Sequence, residues 1–321
     1  MAVTGPTGTF GFALMPLLQE DDRIDRVIGI ARRPFDPAEH GWTKMEYRRG
    51  DVRDAAALRA AFDGADVVVH LAFLILSGGR KTTRAINIEG TLNAFLAAAE
   101  AGAKRFVYAS SIAAYGFHRD NPIGITEEWA TRPADRLFYA QEKAELEHLL
   151  LQEAATHPQT ALYLLRPPIV LGPDAVGAKV SIPTVLAPWV RGVGAALRRV
   201  PGWPALVPDL PLQLIHQEDV AEALRLCVVG AGAPGAYNIA ADDVITGVDV
   251  ARELGLRAVP LPARPVAAVA RAVAKLPYLP SGAQWVEAMS QPAIMDTTKA
   301  KTGLGWRPRH TAIESLRSTF R

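Results

Sequence analysis

The sequence predicts an α/β fold, a doubly wound parallel sheet with a smaller second domain, and three observations carry that expectation. The first is a glycine turn at the amino terminus. Met1-Ala2-Val3-Thr4 leads through Gly5-Pro6-Thr7-Gly8-Thr9-Phe10-Gly11 into Phe12-Ala13-Leu14-Met15-Pro16-Leu17-Leu18, a strand, a turn and a helix in that order. The second is the alternation of short apolar runs with helix-period segments through residue 172, the pattern of a parallel sheet covered on both faces. The third is Asp66-Val67-Val68-Val69-His70-Leu71, whose unbroken apolar run suits a strand buried on both sides.

Each element follows from its own residues. Gly5 permits a tight turn, Gly8 lets backbone approach a pyrophosphate, and Gly11 lets the helix pack close. Free N–H groups at the start of that helix favour phosphate. Pro16 removes one helix hydrogen bond and is expected to bend the helix. Only four residues precede Gly5, so the first strand is short and a trimmed start is expected. The second strand is Arg26–Ala31, ending at Arg32-Arg33-Pro34, and the third is Met45–Arg49, followed by Gly50-Asp51-Val52. Asp54 caps a helix with Leu58, Ala61 and Phe62 on its apolar face. A helix over 84–101, a strand over 105–109, a long helix over 133–155 and a strand over 161–165 complete the series. Between 173 and 211 proline and glycine recur, with Trp189 and Trp203 among them, before His216-Gln217-Glu218-Asp219-Val220-Ala221 restarts a helix. The expected division is a dinucleotide-binding domain of 1–172 plus 212–250 and a substrate-binding domain of 173–211 plus 251–321.

Composition narrows the function classes. The 321 residues are 49% hydrophobic, enough for a sizeable core, and the formal charge is only +2 with dispersed basic residues, so no nucleic-acid partner is expected. The one cysteine, Cys227, lies in the apolar run Leu224–Val229 and is expected to be a buried structural thiol. No apolar leader precedes the glycine turn and no apolar run approaches 18 residues, which predicts a soluble cytoplasmic protein without a membrane partner. The seven histidines show no HExxH or similar spacing, so no metal is expected.

The chemistry concentrates in Tyr139-Ala140-Gln141-Glu142-Lys143, where spacing of four puts Tyr139 and Lys143 on one helix face. Ser110-Ser111 ends the preceding strand, on the edge of the sheet where ligands gather. Serine, tyrosine and lysine placed in this way can converge on one reacting carbonyl.

With these residues in view, the chain resembles the extended short-chain dehydrogenase/reductases of the NAD-dependent epimerase/dehydratase superfamily. The matching stretches are TGPTGTFG at 4–11, GDV at 50–52, HLA at 70–72, YASS…YG across 108–116, YAQEK at 139–143, LRPPIVLGP at 165–173, HQEDVAEA at 216–223 and KAKTGLGWRP near the end. The resemblance implies a Rossmann domain and NAD or NADP as cofactor. It implies Tyr139 as acid/base, Lys143 on the nicotinamide ribose and Ser111 orienting the substrate oxygen, because Ser111 stands four residues before Tyr115 of the Tyr-Gly pair. Ser110 is then structural. It also implies cofactor contacts from Gly5, Thr7, Gly8, Thr9, Phe10, Gly11, Asp51, Val52, Leu71 and Ala72, support of the site by Asn87, and a possible homodimer through the two long helices. To titrate near neutrality the tyrosine must fall by about three units, roughly 4 kcal/mol. An ammonium at about 4 Å in an effective dielectric of ~20 supplies roughly that, a role expected of Lys143.

The departures from the family pattern are informative. NAD-preferring members carry a carboxylate at the end of the second strand. Here Ala31 stands there, followed by Arg32 and Arg33, and Arg32 suits the 2′-phosphate of NADP. Sugar-nucleotide epimerases carry an Asn and an Arg toward the diphosphate where this chain has Ile169 and Leu212, and dehydratases carry Asp-Glu where it has Ile112-Ala113. Phe73-Leu74-Ile75-Leu76 fits an apolar pocket wall. The expected function is therefore an NADP-preferring oxidoreductase acting on a small-molecule alcohol or carbonyl. Two alternatives stand beside it. One is a nucleotide-sugar epimerase with tightly bound NAD that grips its diphosphate through Arg191, Arg198 or Arg199. The other is a non-catalytic NADP-binding regulator, whose expected mark, loss of the tyrosine or lysine, is missing here.

Overall fold

Seven parallel strands form the main sheet. In the computed structural model, which describes residues 1–75, 80–175, 204–274, 281–289 and 291–320, they are β1 (Ala2–Thr4), β2 (Val27–Ala31), β3 (Met45–Arg49), β4 (Val67–His70), β5 (Arg105–Ala109), β6 (Ala161–Arg166) and β7 (Gly235–Asn238). Their order across the sheet is β7-β6-β5-β4-β1-β2-β3. The chain winds outward in one direction from β1 to β3, then crosses back and winds the other way from β4. The reversal falls between β1 and β4, whose registers pair Val3 with Val69 and Thr4 with His70. At such a switch point the loops leaving the two strands diverge and open a crevice for ligand.

Neighbouring residues of one strand point to opposite faces, and the core divides accordingly. Val3, Val67, Val107 and Leu165 pack on one side with Leu14 and Leu18 of helix α1 (Thr9–Glu20). Ala2, Val68, Phe106 and Leu164 pack on the other with Leu58 and Phe62 of α2 (Ala55–Phe62), Phe95 of α3 (Gly90–Glu100) and Leu146 and Leu150 of α4 (Phe138–Thr156). Helix α5 (Gln217–Val229) joins the first side through Leu224, Val228 and Cys227, whose thiol pKa burial pushes up. Ala300, Leu304 and Trp306, far along the chain, lie in that same cluster, and the Trp306 indole donates to the Asp219 carbonyl at 2.9 Å.

Three details differ from the sequence expectations. Helix α1 runs through Pro16 as one continuous element, with that proline exposed. The helix expected over 84–101 starts at Arg80 and passes through a π-helical turn at Ala85–Glu89 before α3. Such turns recur at functional sites. The helix expected from residue 133 starts at Phe138. The N–H groups of Asp135, Arg136 and Leu137 instead donate to the Glu287 carboxylate at 2.7, 2.8 and 2.7 Å, which holds that stretch outside the helix. Trp189, Trp203, Arg191, Arg198, Arg199 and Leu76 lie outside the described residues, as does most of the 173–211 segment.

Candidate active site

The glycine turn sits at the switch point and its geometry is set by close approach. Gly5 has φ 71°, and its N–H reaches across to the Ile30 carbonyl at 2.8 Å. A Cβ there would stand 2.9 Å from the Ala72 nitrogen. A Cβ at Gly11 would collide with the Pro6 carbonyl, so only glycine lets α1 seat against the turn. Gly8 is different. It is exposed, and a Cβ on it would meet only the Gly5 carbonyl at an ordinary 3.5 Å. No contact among the described residues requires glycine there. No side chain caps α1 at Gly8, which leaves first-turn N–H groups and the positive end of the helix facing the crevice. That cradle fits a pyrophosphate. Thr7, Thr9 and Phe10 are half-buried around it, with the Thr9 hydroxyl 3.4 Å from the Asp174 carbonyl.

The crevice walls follow from the strand ends. Leu71 and Ala72 leave β4 half-buried, and the Leu71 N–H donates to the Thr4 carbonyl at 3.0 Å. Val52 is buried against Gly90. Arg32 is exposed just beyond β2, where its carbonyl accepts from Arg49 Nε at 3.0 Å. Asp51 lies near enough for Arg32 to contribute to its lowered pKa. The larger cause is Arg53, whose fork grips the carboxylate at 3.0 and 2.7 Å.

Farther along the sheet edge, Ser111 caps the short turn Ile112–Tyr115, its Oγ accepting the Ala113 N–H at 3.2 Å. It also lies close enough to Tyr139 to work against the burial that pushes the phenol up to about 12. Ser110 faces away and donates to the Glu147 carboxylate. Glu147 is fully buried and paired with Arg166, whose guanidinium also bonds Tyr115, and the Tyr115 hydroxyl in turn donates to Asn238 Oδ1. This network ties α4, β6, β7 and the Ser111 turn together beneath the site.

The Lys143 ammonium rests against β5. Its Nζ donates to the Tyr108 hydroxyl at 2.9 Å and to the Ala109 carbonyl at 2.8 Å, and it stands 5.9 Å from the Tyr139 ring centroid. Burial brings its pKa down to about 7, opposed by Glu147 and Glu142. An ammonium stripped of water takes the nearest acceptors, and here those belong to β5. The Phe73 ring lies 3.8 Å away and meets Tyr139 edge-on at 5.7 Å. Asn87 braces the same loop, bonding Leu74 N and O at 2.8 and 2.9 Å and Glu142 at 2.7 Å.

Four contributors escaped sequence reasoning. Tyr108 belongs to a stretch that reads as plain core. Glu147 was legible, since it extends the Tyr139–Lys143 face by four residues. Trp285, stacked on Tyr139 at 5.5 Å, and Glu287 come from a segment about 150 residues later, and no local pattern marks them. The structure also gathers His216, Glu218 and His310 within 4.8 Å. His216 there accepts the Glu218 N–H and bonds Ser318, and His310 bonds Asp219, so protein groups knit the cluster.

A doubly wound sheet with an open glycine cradle at its switch point, with Ser111 after β5 and Tyr139 and Lys143 on helix α4 beside it, defines a dinucleotide-binding protein of the extended reductase and epimerase kind. The chain belongs to the NAD-dependent epimerase/dehydratase family, whose model matches residues 1–240. Over 99% of its length it is 26% identical to an uncharacterised protein of Mycobacterium tuberculosis, covering 82% of that protein. It is 31% identical to sterol demethylase protein B of Methylococcus capsulatus over 175 residues, which is 53% of this chain and 51% of that one. Among solved structures, gox2253 has a TM-score of 0.74 at 25% identity. The UDP-glucose 4-epimerase of Thermotoga maritima, solved with UDP-glucose, has a TM-score of 0.71 at 21% identity and shares the fold. Each alignment covers 99% of this chain and 96% of the other. No helix among the described residues is long and apolar enough to cross a membrane.

Proposed function

We propose that the protein is a cytoplasmic NADP-preferring oxidoreductase that interconverts a carbonyl and an alcohol, with Tyr139 as acid/base, Ser111 orienting the substrate oxygen and Lys143 holding the nicotinamide ribose. The observation that carries this is the open glycine cradle at the switch point, with Ser111 at the end of β5 near the Tyr139 phenol and Lys143 on the same helix face as Tyr139. Tyr139 keeps its proton at neutral pH because burial raises its pKa, so it stands ready as a general acid. A dinucleotide held in this cradle would supply the hydride needed to reduce the carbonyl carbon. Tyr139 gives its proton to the carbonyl oxygen while Ser111 fixes that oxygen's position, and an alcohol results. Gly5, Gly8 and Gly11 with the first turn of α1 hold the pyrophosphate, and Leu71, Ala72 and Val52 line the cofactor. Asp51 holds the adenine end and Arg32 the 2′-phosphate. In this proposal the substrate domain comprises 173–211 plus 251–321.

Nucleotide-sugar epimerisation is the second reading, favoured by the fold shared with a UDP-glucose epimerase. Against it, Ile169 is apolar and 57% exposed, and Leu212 is half-buried. Calorimetry with UDP and UDP-glucose, run beside an NADPH oxidation assay on cyclic ketones, separates the two. Ketone reduction with negligible UDP binding supports the proposal. Near-micromolar UDP binding without ketone reduction would replace it with the epimerase.

A further inference from the structure

The Trp285 indole lies nearly parallel to the Tyr139 ring, with centroids 5.5 Å apart and planes 28° from each other. Its position does not depend on stacking alone. Two residues later in the same turn (Ser281–Met289), the buried Glu287 accepts three consecutive N–H groups from Asp135, Arg136 and Leu137. Phe138 N–H also reaches Gln284 at 3.4 Å. Helix α4 has no side-chain cap of its own at Leu137. A carboxylate from elsewhere in the chain therefore satisfies the N–H groups leading into the helix that carries Tyr139 and Lys143. The same contact fixes Trp285 over the reacting phenol.

The surroundings of that indole are apolar. Ala113, Ala134, Leu137 and Ala140 are buried in one cluster with it, and Phe117 and Ala288 pack alongside. Two neighbouring polar side chains are already engaged: Glu287 serves backbone N–H groups, and Gln141 Nε2 donates to the Ala134 and Asp135 carbonyls at 3.0 and 3.1 Å. Among the described residues around Trp285, a substrate thus meets flat apolar surface beside the Tyr139 hydroxyl and little that answers a row of sugar hydroxyls.

We propose that Trp285 is a specificity-determining residue, an indole shelf held over Tyr139 by Glu287, and that it selects planar, apolar ring ketones or alcohols. This rests on the redox reading above, since the shelf matters to whatever oxygen Tyr139 protonates. Glu287 is a positioning residue, acting through Trp285 and the start of α4.

The test compares wild type with Trp285→Ala and Trp285→Phe on two probes, a saturated 3-ketosteroid and cyclohexanone. NADPH-dependent reduction and calorimetric steroid binding are both measured. Removing an aromatic wall should weaken steroid affinity roughly 10- to 100-fold, and Trp285→Phe should fall between wild type and Trp285→Ala. Cyclohexanone, too small to cover the shelf, should lose far less. Glu287→Gln should raise the steroid KM by a larger factor than it lowers kcat. If Trp285→Ala does not fold, the Phe variant carries the comparison. Equal losses on both probes, or UDP-glucose binding that depends on Trp285, would overturn the shelf. Steroid binding that depends on Trp285, without any turnover by wild type, would uphold the shelf and overturn the redox reading.

Discussion

The Lys143 ammonium donates to the Tyr108 hydroxyl at 2.9 Å, across from the phenol of Tyr139 that shares its helix face. The lysine is anchored to β5, while burial raises the Tyr139 phenol's pKa against the effect of Ser111. Tyr108→Phe removes one of the two acceptors and leaves a buried donor to the Ala109 carbonyl only. A buried group deprived of its partner costs about 1–3 kcal/mol. Urea unfolding should show that loss, and an unchanged midpoint would mean the lysine is anchored elsewhere.

Gly11→Ala should be the most damaging change in the glycine turn. Its methyl would drive into the Pro6 carbonyl, which backbone cannot yield cheaply. Overpacking of this kind costs about 1–3 kcal/mol or more. Gly8→Ala meets no such obstacle among the described residues and should unfold at nearly the wild-type midpoint, while its dinucleotide affinity falls. Equal thermal stability of the two variants would contradict the division of labour between them.

His70 predicts an acid-sensitive core. It is fully buried between Thr4 and Thr91, at 2.8 and 3.0 Å, and burial, followed by the charge of Lys143, holds its pKa down to about 3. Between pH 6.5 and 3 the unfolded chain binds a proton at this position that the native state refuses. Stability therefore falls as pH drops through that window, by roughly 2 kcal/mol from pH 6.5 to 5. Lys143 titrates from about 7 upward and adds nothing to this limb. His70→Asn should flatten the acid dependence of urea unfolding, and an identical slope in both proteins would rule the histidine out.

Much of this was legible in the chain. β3 and β5 fall on their expected residues, short segments bounded by turn signals, and the glycine spacing located the switch point. The start of α4 was not legible, because Glu287 imposes it from about 150 residues away. The direction of the Lys143 ammonium was equally hidden. Spacing gives the helix face, but desolvation and the reach of Tyr108 decide where the charge rests.

In the proposed assignment cofactor preference depends on Arg32, which is exposed at the end of β2 beside Asp51, with no carboxylate at Ala31. A hydrogen bond to a charged group contributes ~1.5–3 kcal/mol, so NADP should bind roughly ten- to a hundredfold more tightly than NAD. Arg32→Ala should remove most of that difference and leave NAD affinity nearly unchanged. Arg33→Ala belongs in the same titration, and equal affinities in the wild type would show that neither arginine meets a phosphate.

The central claim is that Tyr139 moves the proton, and Tyr139→Phe tests it most directly. The substitution keeps the ring between Phe73 and Trp285 and removes only the hydroxyl. NADPH binding should stay close to wild type, while steady-state ketone reduction should fall by roughly 10²–10⁴, the usual contribution of a positioned acid. A Phe variant that binds NADPH and reduces the same ketone at the wild-type rate would contradict the account.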